Sequence, residues 1–139
     1  MTKSILTVMS FLLLSTLTFA GSIPTTVQKA FDQKFPNATS VKWDKENAHE
    51  YEASFEWKGE KHSANFSGSG EWLETESVSA FNQLPENAQT AFNASHKGAT
   101  VKAVATIQTS KGVTKYEVEF KQGVKTVELF YTSDGNETK

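Results

Sequence analysis

The sequence predicts an α+β fold of two tandem units. Each unit is one helix followed by a three- or four-stranded antiparallel meander, with the helices packed on one sheet face. Three observations predict it. Residues 50–72, EYEASFEWKGEKHSANFSGSGEW, alternate apolar and polar side chains through two strands and a tight turn. The pattern returns without a gap as residues 115–137, KYEVEFKQGVKTVELFYTSDGNE, so that Tyr51 aligns with Tyr116, Glu52 with Glu117, Phe55 with Phe120, Phe66 with Tyr131 and Gly70 with Gly135. Each copy follows a helical stripe, Val27, Ala30, Phe31 and Phe35 before the first and Ala88, Ala91 and Phe92 before the second.

The elements follow in order. Ser22 to Phe35 reads as a helix with Ser22 as its cap and Pro24 in its first turn, where a missing N–H costs nothing. Pro36-Asn37 ends it, because proline disfavours helical geometry in the residue before it. Ala38 to Asp44 is a strand with Val41 and Trp43 on one face. His49 to Trp57, Lys61 to Phe66 and Glu71 to Ser77 are strands, with turns at Lys58-Gly59 and Gly68-Ser69-Gly70. A second helix spans Pro85 to His96. Strands then run over Val101 to Thr109 (Val101, Ala103, Ala105 and Ile107 in phase), Val113 to Gln122 and Lys125 to Thr132. Asp134-Gly135 is a hairpin signal, and with only Asn136 to Lys139 after it the last strand is short or missing. A unit of about 60 residues is marginal alone, so the two should share a core or continue one sheet.

Residues 1–20 are set apart as a signal peptide. Lys3 precedes an apolar run, and Thr18 and Ala20 suit the small-residue pockets of a signal peptidase. The domain reading is therefore a signal peptide over 1–20, a first unit over 21–82 and a second over 83–139, within one compact domain. Cysteine is absent, which removes disulfides, thiol nucleophiles and thiolate metal sites. Export without cysteine points to a bacterial periplasm or exterior. All 14 basic residues are lysine and the formal net charge is −2, so the arginine forks and basic footprint of a nucleic-acid binder are missing.

FPNATSVKWDKENAHEYEASFEWKGEKHSANFSGSGEWLETE resembles the PepSY-like family, itself described as similar to β-lactamase inhibitory protein. The resemblance rests on Ala30-Phe31, Phe35-Pro36-Asn37-Ala38, Val41-Lys42-Trp43, Tyr51-Glu52-Ala53 and Phe55, and continues through Ala64, Phe66, Gly70 and Trp72 to Glu76. It covers essentially the whole chain after residue 20. It implies an exported bacterial protein with helix-plus-meander repeats. The inhibitor it is similar to binds its target enzyme on a concave sheet surface. The cysteines that brace that inhibitor are missing here, and no inhibitory loop can be matched residue by residue.

The residues offer little to catalysis. His49, His62 and His96 have no Gly-x-Ser-x-Gly elbow beside them, and His62 lies in phase with Ala64 and Phe66, as a core-margin residue does. No His-x-x-x-His or Glu-x-x-His pair marks a metal site. Glu50, Glu52 and Glu56, with Glu117 and Glu119 on the matching strand, read as a solvated acidic face balanced by lysines such as Lys61. A hard cation such as Ca²⁺ is the alternative use for them. The aromatics are the better clue. Trp72 and Leu73 point to opposite faces, and Phe130 lies between Leu129 and Tyr131, so some aromatics leave the helix-packed core or fill one shared between the units.

The expected function is an exported, non-enzymatic binding or inhibitor-like module without a cofactor. Its sheet surface would meet a protein or peptide partner through Trp57, Trp72 and Phe130. The alternatives are a structural, self-associating envelope protein (a homo-oligomer) and a small-ligand or Ca²⁺ binder.

Overall fold

The structure, a computed structural model, describes residues 21–138. The signal peptide expected over 1–20 lies outside the described residues. In chain order the elements are α1 (Thr25–Lys34), β1 (Thr39–Lys45), β2 (Glu50–Trp57), β3 (Glu60–Ser67), β4 (Trp72–Ser79), a 3₁₀ turn (Phe81–Gln83), α2 (Glu86–Ser95), β5 (Thr100–Thr109), β6 (Thr114–Gln122), β7 (Lys125–Thr132) and β8 (Glu137–Thr138).

The expected division into two tandem helix-plus-meander units is not what the chain adopts. It forms one eight-stranded antiparallel sheet in sequential order, β1 to β8, and is mostly β with two helices. The correction comes from β4 and β5, which pair from Glu74↔Thr109 to Ser79↔Val104. The physical reason is the edge. Two separate sheets would each leave a row of unpaired N–H and C=O groups there, and joining them removes both rows.

Residues directly opposite in an antiparallel pair share a face, so the register sorts the sheet. Phe55, His62, Ser77, Thr106, Tyr116 and Tyr131 form one row across β2 to β7. This is the helix side. Val27, Phe31 and Phe35 of α1 and its C-terminal end bury against Ala53, Phe55, Ala64 and Phe66. Phe31 is the hub, with ring centroids 4.9 Å from Phe55, 5.3 Å from Trp43 and 5.5 Å from Phe35. Leu84, Ala88 and Phe92 bury against Val104, Val118, Phe120 and Tyr131 at the other end of the sheet. Both helices therefore lie on one face, each over its own cluster.

Local chemistry departs from expectation at three points. Ser22 does not cap α1; Pro24 is the N-cap, with φ −55°, and its carbonyl accepts from Val27 N–H at 3.0 Å. In β1 the register shifts between Thr39 and Lys42, where Ser40 takes φ 55°, and Val41 is exposed while Trp43 packs on the α1 cluster. In β5 the register shifts between Val101 and Ala103. One extra residue there reverses the phase. Val101 and Val104 face the helices, whereas Ala105 and Ile107 pair with Glu117 and Lys115 on the other side.

Two turns lock onto the helices. Gly70 (φ 89°) lies so near α1 that a Cβ would stand 2.8 Å from the Thr26 carbonyl oxygen. Gly135 (φ 79°) meets α2 in the same way, with an added Cβ 2.6 Å from Asn87 Cβ and 2.8 Å from Ala88 N. Only glycine fits a left-handed backbone with no room for a side chain.

Candidate functional site

The face away from the helices is the chemically distinctive one. Its rows follow from the register. Glu52, Asn65, Glu74 and Thr109 make one, Ser54, Ser63, Glu76, Ile107 and Lys115 a second, and Val78, Ala105, Glu117, Phe130 and Thr138 a third. Glu119 and Glu128 pair beyond them. Neither helix covers this face, yet Glu52, Glu76 and Glu117 are only 3, 7 and 4% exposed.

Burying carboxylates together disfavours their charge. Burial, and then Glu117, Glu74, Glu52 and Glu128, push the Glu76 pKa up to about 8. Burial, followed by Glu128, Glu119 and Glu74, brings Glu117 to about 8 as well. Glu52 reaches about 7, raised by burial and by Glu46 and Asp44, against a hydrogen bond with Ser63 that favours the anion. Glu74 is also raised by burial, opposed by the Lys115 cation. One carboxyl oxygen of Glu76, Oε2, is buried with no hydrogen-bond partner. The acidic face was expected to be solvated. Glu56 is, but Glu52, Glu117 and Glu119 are buried.

The three aromatics singled out from the sequence do not come together. Trp57 packs against the α1 cluster, 5.3 Å from the Phe35 ring, and its Nε1 donates to the Pro36 carbonyl at 3.0 Å. Trp72 packs against the same cluster, donates from Nε1 to Thr75 Oγ1 at 2.8 Å, and carries Lys34 Nζ 3.4 Å from its ring centroid. Phe130 lies on the opposite face, between Glu117 of β6 and Thr138 of β8. The residues that sequence reasoning missed are Glu74 and Glu76 of β4. Their two-residue spacing was the available signal, and it was masked because Thr75 between them and Ser77 after them are also polar.

The histidines are dispersed. His62 Nδ1 lies 3.0 Å from Ser77 Oγ on the helix side, and His96 Nδ1 lies 3.1 Å from Gln122 Oε1. Among the described residues no three His, Cys, Asp or Glu side chains close on a point as a metal ion would require, and no helix is long and apolar enough to cross a membrane.

A family described as "Putative beta-lactamase-inhibitor-like, PepSY-like" matches residues 18–60 and 50–139. The chain belongs to the PepSY-like family. Solved structures share the fold of this chain. A "putative periplasmic" protein of Bacteroides eggerthii superposes with TM-score 0.77 at 20% identity, over 86% of this chain and 88% of its own. A DUF2874 family protein of Bacteroides ovatus gives 0.74 at 24% identity, over 86% of each chain. Both establish the shared fold. A "BLIP-like protein" of Bacteroides fragilis gives 0.70 at 27% identity, again over 86% of each chain. None of the curated proteins compared with this PepSY-like chain matches it.

Proposed function

We propose that this PepSY-like protein is an exported, non-enzymatic binding module that presents the open face of its sheet to a protein or peptide partner. The face itself carries the reading. It is covered by neither helix, and it sets Phe130, Ile107 and Ala105, all buried, beside buried carboxyl groups. Val78, 53% exposed on the same face, and the unpartnered carboxyl oxygen of Glu76 both gain from a complementary partner. The inhibitor-like family description favours a module that binds a protein over one that transforms a substrate. The wording for the B. eggerthii neighbour favours the periplasm.

Phe130 is the residue we assign to the surface, since it stands on the open face. Trp57 and Trp72, half-buried on the helix side, serve as the comparison. The test is capture from the envelope fraction of the source cell with the wild type, Phe130→Ala and Trp57→Phe as baits, read by mass spectrometry. A partner retained by the wild type and Trp57→Phe and lost by Phe130→Ala, with melting unchanged, supports the reading. Recovery of bait alone, at a solution mass above that of one chain, moves the weight to self-association.

A further inference from the structure

We propose that the open face recognises a lysine or arginine side chain of its partner, seated over Glu76 with Glu52, Glu74 and Glu117 around it. The inference rests on the reading above, that the open face meets a protein or peptide. Two independent features point to a cation. Glu76 is more than nine-tenths buried, and its Oε2 has no hydrogen-bond partner. A buried carboxyl oxygen without a partner gains from one, and once ionised it can only accept. The charges acting on Glu76 are moreover all carboxylates: Glu117, Glu74, Glu52 and Glu128. Lys115 and the exposed Lys42, Lys61 and Lys121 share the face by register, but the Lys115 cation acts on Glu74 and none of the four acts on Glu76.

The surroundings suit a side chain better than a bare ion. A metal needs several ligands converging on one point, and the described residues offer no such group. An ammonium or guanidinium brings its own donors and needs only acceptors spread around it. Its approach is lined by apolar groups: Ile107 pairs with Glu76, Ala105 pairs with Val78 beside it, and Phe130 stands two strands farther on. A long methylene stem packs on such a wall while its charged head reaches down to the carboxyl. The partner's cation would also favour ionised Glu76 over its protonated form, so seating it expels a proton near neutral pH.

The test uses fluorescein-labelled peptides of alternating threonine and lysine, and their glutamine counterparts, in fluorescence anisotropy at about 0.15 M salt, where distant charges are screened. The proteins are the wild type, Glu76→Gln, Glu117→Gln and Glu60→Gln, the last at an exposed position. The lysine peptide is expected to bind the wild type at least tenfold tighter than the glutamine peptide. That preference should fall about tenfold in Glu76→Gln, fall in Glu117→Gln, and stay within twofold in Glu60→Gln. Affinity should rise from pH 6 to pH 8 in the wild type, with proton release detected in buffers of different ionisation enthalpy. Glu76→Gln should flatten the rise. Equal affinity for the two peptides, or equal loss in all three variants, overturns the cation assignment. If both peptides bind equally and Phe130→Ala abolishes both, the face remains a partner surface without a cation seat. A melting shift with Ca²⁺ that Glu76→Gln removes would also overturn it, in favour of a metal.

Discussion

Glu76→Gln should change the pH dependence of stability more than the stability itself. The Glu76 carboxyl moves from an ordinary 4.5 to about 8 on folding, first because it is buried and then because Glu117, Glu74, Glu52 and Glu128 surround it. The folded state therefore holds the proton more tightly than the unfolded chain. Below pH 4.5 both states carry it, and the full stability is present. As pH rises the unfolded chain releases its proton and the folded one keeps it until about pH 8. Stability is lost through that window at about 1.4 kcal/mol per pH unit, on the order of 5 kcal/mol in all. Glutamine matches the shape of the protonated acid and cannot ionise. The variant should lie within about 1 kcal/mol of the wild type at pH 5 and gain roughly 3 kcal/mol on it by pH 7.5. Urea unfolding followed by tryptophan fluorescence reads this directly. With slopes of about 1–3 kcal/mol per molar urea, the midpoints should separate by about 1 M or more. Midpoints that run parallel from pH 5 to pH 8 would refute the reasoning, since Glu76 would then titrate alike in both states.

Three further predictions concern the scaffold. Gly135→Ala places a Cβ 2.6 Å from Asn87 Cβ at φ 79° and should cost about 2 kcal/mol or more, whereas Gly123→Ala, at φ 64° in open space, should cost only about 1 kcal/mol; chemical denaturation of the pair separates clash from backbone strain. Phe31→Ala empties the hub of the α1 cluster and should cost about 3–5 kcal/mol, with a matching drop in melting temperature by calorimetry. Trp72→Ala removes a half-buried ring and its contact with Lys34, so it should lower stability by about 2 kcal/mol; self-association lost without any destabilisation would place Trp72 on a surface instead.

Much of the fold was legible because the strands on the helix side alternate strongly. In β2, Tyr51, Ala53, Phe55 and Trp57 alternate with polar residues, and β6 repeats the pattern with Tyr116, Val118 and Phe120, so period two fixed the inward face. The approaches of Gly70 and Gly135 to the helices are visible in the sequence only as aligned glycines. β5 misled because Val101, Ala103, Ala105 and Ile107 are all in phase on paper, while the bulge between Val101 and Ala103 inverts everything after it. An apolar residue cannot report which side it faces when both sides are partly buried. β4 misled for the opposite reason. Glu74, Thr75, Glu76 and Ser77 are polar throughout, so no alternation showed which side was inside or that β5 would pair along it.

Set against each other on the sequence, residues 50–72 and 115–137 are alike on the helix side and differ on the open face. Phe55 and Phe120, and Phe66 and Tyr131, occupy matching positions under α1 and α2 and do the same packing. On the open face Glu52 and Glu117 match, but Asn65 aligns with Phe130, Ser63 with Glu128, and Glu50 with Lys115. Two identical halves would present the same groups twice. The differences instead leave Ser63 and Asn65 on β3 and Lys115, Glu128 and Phe130 on β6 and β7, with Glu76 on β4 between them. A partner crossing the strands would therefore meet Ser63 and Asn65, then Glu74 and Glu76, then Lys115, Glu117 and Phe130, and its orientation on the sheet would be set by where its cation falls.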